Sequence, residues 1–151
     1  MFRGHNTATV DEKGRLKIPT AFKDILDKEY GKDLDFFVTG LDGNSVRIYP
    51  LPIWIEIEEE MVPVRGEKEA NKIKRQFLDR TNYWGQTARA DAQGRVLIPA
   101  LLRESAGMQG EVNVMGKVKY LEVCSLERMR EQMAQPVSDD ERDGLDNLGI
   151  G

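Results

Sequence analysis

Arg15 and Arg95 stand in the same setting. The first lies in Asp11–Pro19, Asp-Glu-Lys-Gly-Arg-Leu-Lys-Ile-Pro, and the second in Asp91–Pro99, Asp-Ala-Gln-Gly-Arg-Val-Leu-Ile-Pro. A guanidinium is a planar fork of donors that matches a carboxylate, a phosphate or the major-groove edge of guanine. Two roles are therefore open. Each arginine closes its own turn by pairing with Asp11 or Asp91, or each projects beyond the turn towards an anionic ligand. The two roles are compatible if the aspartate only orients the arginine.

The spacing dictates what must hold these residues. Asp followed three places later by Gly suits the first and fourth positions of a type I turn. The carboxylate accepts from turn amides, and the glycine takes the positive φ that reverses the chain. Gly14 and Gly94 are the turn glycines. Thr7–Val10 and Arg15–Ile18 then become arms of a hairpin. Pro19 and Pro99 mark helix starts, where the missing amide hydrogen costs nothing.

The two copies are a tandem repeat. Asp, Gly, Arg, Ile and Pro match in order and spacing, and Thr7-Ala8 recurs as Thr87-Ala88. Downstream, Val46-Arg47-Ile48 aligns with Leu121-Glu122-Val123, so the second copy is the shorter. Such a chain is read as a repeat before anything else.

Composition narrows the classes. With 151 residues, of which 32% are charged, the chain can build one core or two small ones. No apolar run approaches the ~20 residues of a bilayer span, and the N-terminus lacks the apolar stretch of a secretory signal. The expectation is a cytoplasmic protein with no membrane partner. Cys124 and His5 are the only residues of their types. An internal disulfide is excluded, no zinc-ligand spacing exists, and Cys124 in an apolar strand pattern reads as a buried thiol. No cofactor, metal or small-molecule substrate is expected.

Net charge is −4, and the segment from Pro136 to Gly151 accounts for all of it: Asp139, Asp140, Glu141, Asp143 and Asp146 against Arg142. The remainder is neutral, with cations in excess near both motifs. Arg3, Lys13, Lys17 and Arg89 join the two arginines as candidate cations, and Gln93 occupies in the second turn the place of Lys13 in the first.

The periodicity predicts five segments. Residues 5–52 form the first repeat unit and 81–127 the second. Connecting helices over 53–80 carry Trp54, Ile57 and Met61, then Ala70, Ile73 and Phe77, at helical spacing. Residues 128–135 end a C-terminal helix capped by Ser125, and 136–151 form an acidic, mobile tail. The apolar faces of the helices bearing Trp54 and Leu126 exceed what two short repeats need for a private core, which favours an oligomer.

These features resemble the MraZ family of bacterial transcription factors, with two SpoVT/AbrB-type repeats. The resemblance covers about residues 1–135 and rests on Met1-Phe2-Arg3-Gly4, both D-x-x-x-R motifs with their Ile-Pro, and Gly40-Leu41-Asp42. Asn82-Tyr83-Trp84-Gly85 departs from the small, apolar lead-in of the family's second repeat. The resemblance implies an α+β, β-rich fold, a double-split β-barrel of AbrB-type swapped hairpins formed by the two repeats. It also implies closed rings that bind repeated boxes of double-stranded promoter DNA in the operon for division and cell-wall synthesis. DNA contact by Arg15 and Arg95, oriented by Asp11 and Asp91, is carried over with it.

A sequence-specific DNA-binding regulator is thus the leading reading. A protein-assembly module of the same fold is the alternative. An enzyme is disfavoured, because no phosphate loop, nucleophile elbow or converging acid–base pair occurs.

Overall fold

The two prolines that end the motifs are each followed at once by a helix. Pro19 has φ −53° and Pro99 φ −52°, so each enters its helix already in shape. The computed structural model describes all 151 residues, Met1–Gly151. In order, the first unit is β1 (His5–Val10), β2 (Arg15–Lys17), α1 (Thr20–Tyr30), β3 (Asp35–Thr39) and β4 (Val46–Pro50). Helices α2 (Leu51–Glu60) and α3 (Lys68–Trp84) follow. The second unit is β5 (Gln86–Arg89), β6 (Arg95–Leu97), α4 (Ala100–Ala106), β7 (Gly110–Gly116) and β8 (Leu121–Ser125). The chain ends in α5 (Leu126–Ala134) and α6 (Asp139–Asn147). No helix is long and apolar enough to cross a membrane.

All eight strands join one antiparallel sheet in the order β5-β3-β4-β8-β7-β1-β2-β6. Its two ends meet at the second turn, where the Asp91 amide donates to the Arg95 carbonyl at 2.9 Å. The sheet is thus a nearly closed barrel, which leaves little free edge.

The repeats are interleaved. The hairpin expected from the sequence is paired within itself only at Val10↔Leu16. Beyond that point β1 runs along β7 of the other unit, and β5 along β3. Equivalent strands meet each other: β2 pairs β6 about Leu16↔Val96, and β4 pairs β8 about Arg47↔Glu122. An approximate two-fold axis through these pairs relates the halves of one chain. The local hairpin gives way because β1 and β7 bury Val112 and Val114 completely, an apolar gain that a three-residue β2 arm could not supply. This is the double-split barrel of swapped hairpins.

One core of 21 buried residues draws on both units, including Phe22 and Leu26 of α1, Leu102 of α4, and Leu16 and Val96 of the axial strands. The units therefore cannot be separate folding bodies. A second, aromatic cluster fastens the connecting helices. Trp54 stacks on Phe37 at 4.6 Å between ring centroids, with Phe77 of α3 at 5.9 Å on the same indole. Trp54 is 2% exposed, so its face, expected to await a partner, is covered by the chain's own β3, β4 and α3.

Two further expectations change. The connecting helices outrun 53–80: α2 begins at Leu51 and α3 continues to Trp84, taking in Asn82-Tyr83-Trp84. Thr39 Oγ1 donates to the Thr81 carbonyl at 2.6 Å and holds this last turn on β3. Gly85 then ends the helix where any Cβ would strike Phe37 and the Thr81 carbonyl. The acidic tail, expected to lack structure, carries α6. Ser138 accepts from the Glu141 amide at 3.1 Å, and Asp139, Asp140 and Glu141 lie in the first turn, beside the positive end of the helix dipole. Every residue of α6 is exposed.

Candidate nucleic-acid interface

Each motif turn is built by its aspartate. The Gly14 amide donates to the Asp11 carbonyl at 2.9 Å, and the amides of Lys13 and Arg15 donate to Asp11 Oδ1 at 3.0 and 2.9 Å. Asp91 repeats the arrangement with Gly94, Gln93 and Arg95. Gly14 has φ +83° and Gly94 φ +75°, conformations that disfavour any side chain. The turn geometry read from the spacing is therefore the geometry found.

The β2–β6 pairing sets the two turns side by side. Leu16 and Val96 are fully buried, so their neighbours face outward: Arg15 opposite Leu97, and Lys17 opposite Arg95. The amides of Ile18 and Ile98 donate to the Gly94 and Gly14 carbonyls at 3.0 Å, which locks each turn to the other repeat's strand.

The four motif charges form a single network. Arg15 Nε donates to Asp11 Oδ2 at 2.9 Å, and Arg95 Nε to Asp91 Oδ2 at 2.8 Å. Across the axis, Arg15 Nη1 lies 3.8 Å from Asp91 Oδ2, and Arg95 Nη1 lies 3.9 Å from Asp11 Oδ2. Each carboxylate is thus shared by both guanidiniums. Asp11 is held below the usual carboxylate range, first by the Arg15 amide and then by its guanidinium, against an opposing effect of burial. Asp91 is lowered likewise, first by the Arg95 amide. The bracing role is real, and it leaves the guanidinium ends at the surface with about 30% of each side chain exposed, 29% for Arg15 and 28% for Arg95.

The network is formally neutral, so positive character comes from its neighbours. Lys13 and Lys17 are exposed beside it, as is the side chain of Gln93. Arg89 lies just before the second turn, but Asp35 on β3 takes its Nε at 2.7 Å and raises its pKa. Arg3 is not brought to this face. It precedes β1 and lies beyond the end opposite the turn, separated from it by the length of the strand, roughly 20 Å. Two cations that the sequence reading did not select do arrive here. A Cβ built on Gly14 would run into the Arg103 guanidinium, and one on Gly94 would come within 2.9 Å of Lys23 Cδ and Cε. Lys23 and Arg103 occupy equivalent places in the two repeats, four residues after Pro19 and Pro99. That repeat equivalence was the available signal.

No group of three or more His, Cys, Asp or Glu side chains converges on a point that could hold a metal ion. Cys124 is buried, and burial raises its thiol pKa, which favours the unreactive form.

Fold and face together define a two-repeat AbrB-like barrel that presents a basic, two-turn ribbon. The comparisons with known proteins agree. A family model described as "MraZ protein, putative antitoxin-like" matches residues 86–147. A protein of Acidobacterium capsulatum named "Transcriptional regulator MraZ" is 43% identical over 99% of this chain and the whole of its own length. One of the same name from Koribacter versatilis is 36% identical over the same shares, and one from Lachnoclostridium phytofermentans is 34% identical over 85% of this chain and 84% of its own. The chain belongs to the MraZ family.

Proposed function

We propose that this chain is a sequence-specific DNA-binding regulator of transcription that lays the β2–β6 ribbon and its flanking turns into the major groove. The observation that carries this reading is the convergence of Arg15 and Arg95 on one outward face with Lys13 and Lys17. A two-stranded ribbon fits the major groove, an arginine bonds bidentately to guanine, and lysines hold the phosphates alongside. The carboxylates that hold each Nε leave the guanidinium ends pre-oriented, which limits the entropy lost on binding. The names of the full-length relatives support regulation of transcription.

One chain offers a single small ribbon. A closed homo-oligomeric ring would present several, and repeated promoter boxes would then be bound through high effective concentration. Val62, Val64 and Ile73, exposed around the junction of α2 and α3, are the apolar side chains that a ring contact would cover. The target we propose, on the family resemblance, is the promoter of the division and cell-wall operon that includes the protein's own gene, at the nucleoid.

Selection of bound sequences from random duplexes tests this directly. Enrichment of a repeated, guanine-containing box, with affinity falling steeply as salt rises, is expected. Binding without enrichment, or none, would leave the assembly module as the better reading. Light scattering at micromolar concentration should give a multiple of the 17.2 kDa chain mass, and a monomer mass would remove the ring.

A further inference from the structure

The two halves of the ribbon look alike in backbone and differ in how their charges are placed. By repeat equivalence, Lys13 corresponds to Gln93, Lys17 to Leu97, and Glu12 to Ala92. At the first turn Lys13 and Glu12 cancel, and the antiparallel register sets Lys17 opposite Arg95, at the Gly94 end. The helices supply the difference that matters, because each lies over the other repeat's turn. Lys23 of α1 sits against Gly94, and its Nζ is held by both oxygens of Asp27 at 3.0 and 3.1 Å. Arg103 of α4 sits against Gly14. Its Nε donates to the Ile98 carbonyl at 2.9 Å, and no carboxylate lies within ion-pair distance of it. The reason is in the sequence: where α1 has Asp27, α4 has already ended at Gly107.

Acids are present near both cations. Glu12 and Glu104 line the same cleft as Arg103, but Asp24 stands beside Lys23 in the place of Glu104, so the helix acids cancel in the comparison. What remains unequal is Lys13 and Glu12 at the Gly14 end and Lys17 and Asp27 at the Gly94 end; the formal sums are equal, and the difference is that Lys23 is paired while Arg103 is not.

We propose that Arg103, at the Gly14 end of the ribbon, is a further DNA-contacting residue, and that its counterpart at the Gly94 end, Lys23, makes no such contact. The chain then binds its box in one polarity, and that box need not be a palindrome. This rests on the DNA-binding reading above. Arg103 adds a phosphate contact next to Lys13, whereas Lys23 spends its charge on Asp27.

The test uses the full-length protein on a duplex carrying one copy of the selected box, titrated at several salt concentrations. Arg103→Gln should reduce the slope of log affinity against log salt by about 0.9, equivalent to a roughly 3.5-fold smaller loss between about 50 and 200 mM salt. Lys23→Gln should leave the slope unchanged. Asp27→Asn, a surface change away from the turns, should free Lys23 and steepen the slope by about 0.9. Arg103→Lys keeps the charge and should keep the slope, which a mere brace of the Ile98 carbonyl would not. Hydroxyl-radical footprints should extend further on one side of the box and become even in Arg103→Gln. Equal effects of the Arg103 and Lys23 variants, or no response to Asp27→Asn, would overturn the proposal while wild-type binding left the DNA reading standing. Failure of the wild type to bind any duplex would sink both.

Discussion

Gly14→Ala separates the parts of the ribbon. At φ +83°, an L-residue costs about 1–2 kcal/mol, offset by roughly 0.4–1 kcal/mol because alanine stiffens the unfolded chain. The net is about 1 kcal/mol. Gly107→Ala is the control, since Gly107 is also left-handed, at φ 65° and ψ 41°, and its added Cβ would meet nothing within 4 Å. At Gly14 the new methyl also displaces the Arg103 guanidinium and breaks its bond to the Ile98 carbonyl. A bond of that kind contributes about 0.5–1.5 kcal/mol. Gly14→Ala should therefore cost about 2 kcal/mol, lowering the melting temperature by roughly 4–8 °C, against about 2–4 °C for Gly107→Ala. The double variant Gly14→Ala/Arg103→Ala should be less destabilised than the sum of its singles, because the bond can be lost only once. The assay is thermal unfolding by far-ultraviolet circular dichroism for the wild type, the three single variants and the double variant. Additive losses in the double variant, or equal melting for Gly14→Ala and Gly107→Ala, would show that Arg103 does not rest on this turn.

Three other outcomes follow from the same geometry. Arg15→Ala and Arg95→Ala should each lower the melting temperature by no more than about 3 °C, since the backbone amides still hold Asp11 and Asp91. DNA affinity should fall about 5- to 150-fold per contacted site, as a titration would reveal, and unfolding without loss of affinity in the folded fraction would make them braces only. Because both aspartates have lowered pKa values, their contribution to stability is complete above the unfolded value of about 4 and is lost as pH falls through the folded values. Melting curves from pH 6 to 2 should show this loss, reduced in Asp11→Asn and Asp91→Asn. Deleting Pro136–Gly151 should leave the melting temperature unchanged and DNA binding undiminished, since α6 is wholly exposed and its charge repels phosphate. A large drop in either would show that the segment docks.

Much of the ribbon was legible before folding, because its rules are local. An aspartate three places before a glycine specifies the turn, and the proline after Ile18 or Ile98 specifies the helix start. Repetition marked both copies as one device. Helical spacing located α2 and α3, since periodicity reflects which side meets the core, and Ser125 marked the start of α5. The α6 helix was also legible, through Ser138 and the acids after it, but its net charge was read as disorder instead. What the sequence could not fix is which strand pairs with which. A motif arm of three residues has too little surface to hold the whole of β1 beside it or to specify the distant β6, and the choice falls to the core that both repeats fill together. That choice alone brings Arg15 to Asp91, sets Arg103 on Gly14, and makes one shared face out of two turns far apart in the chain.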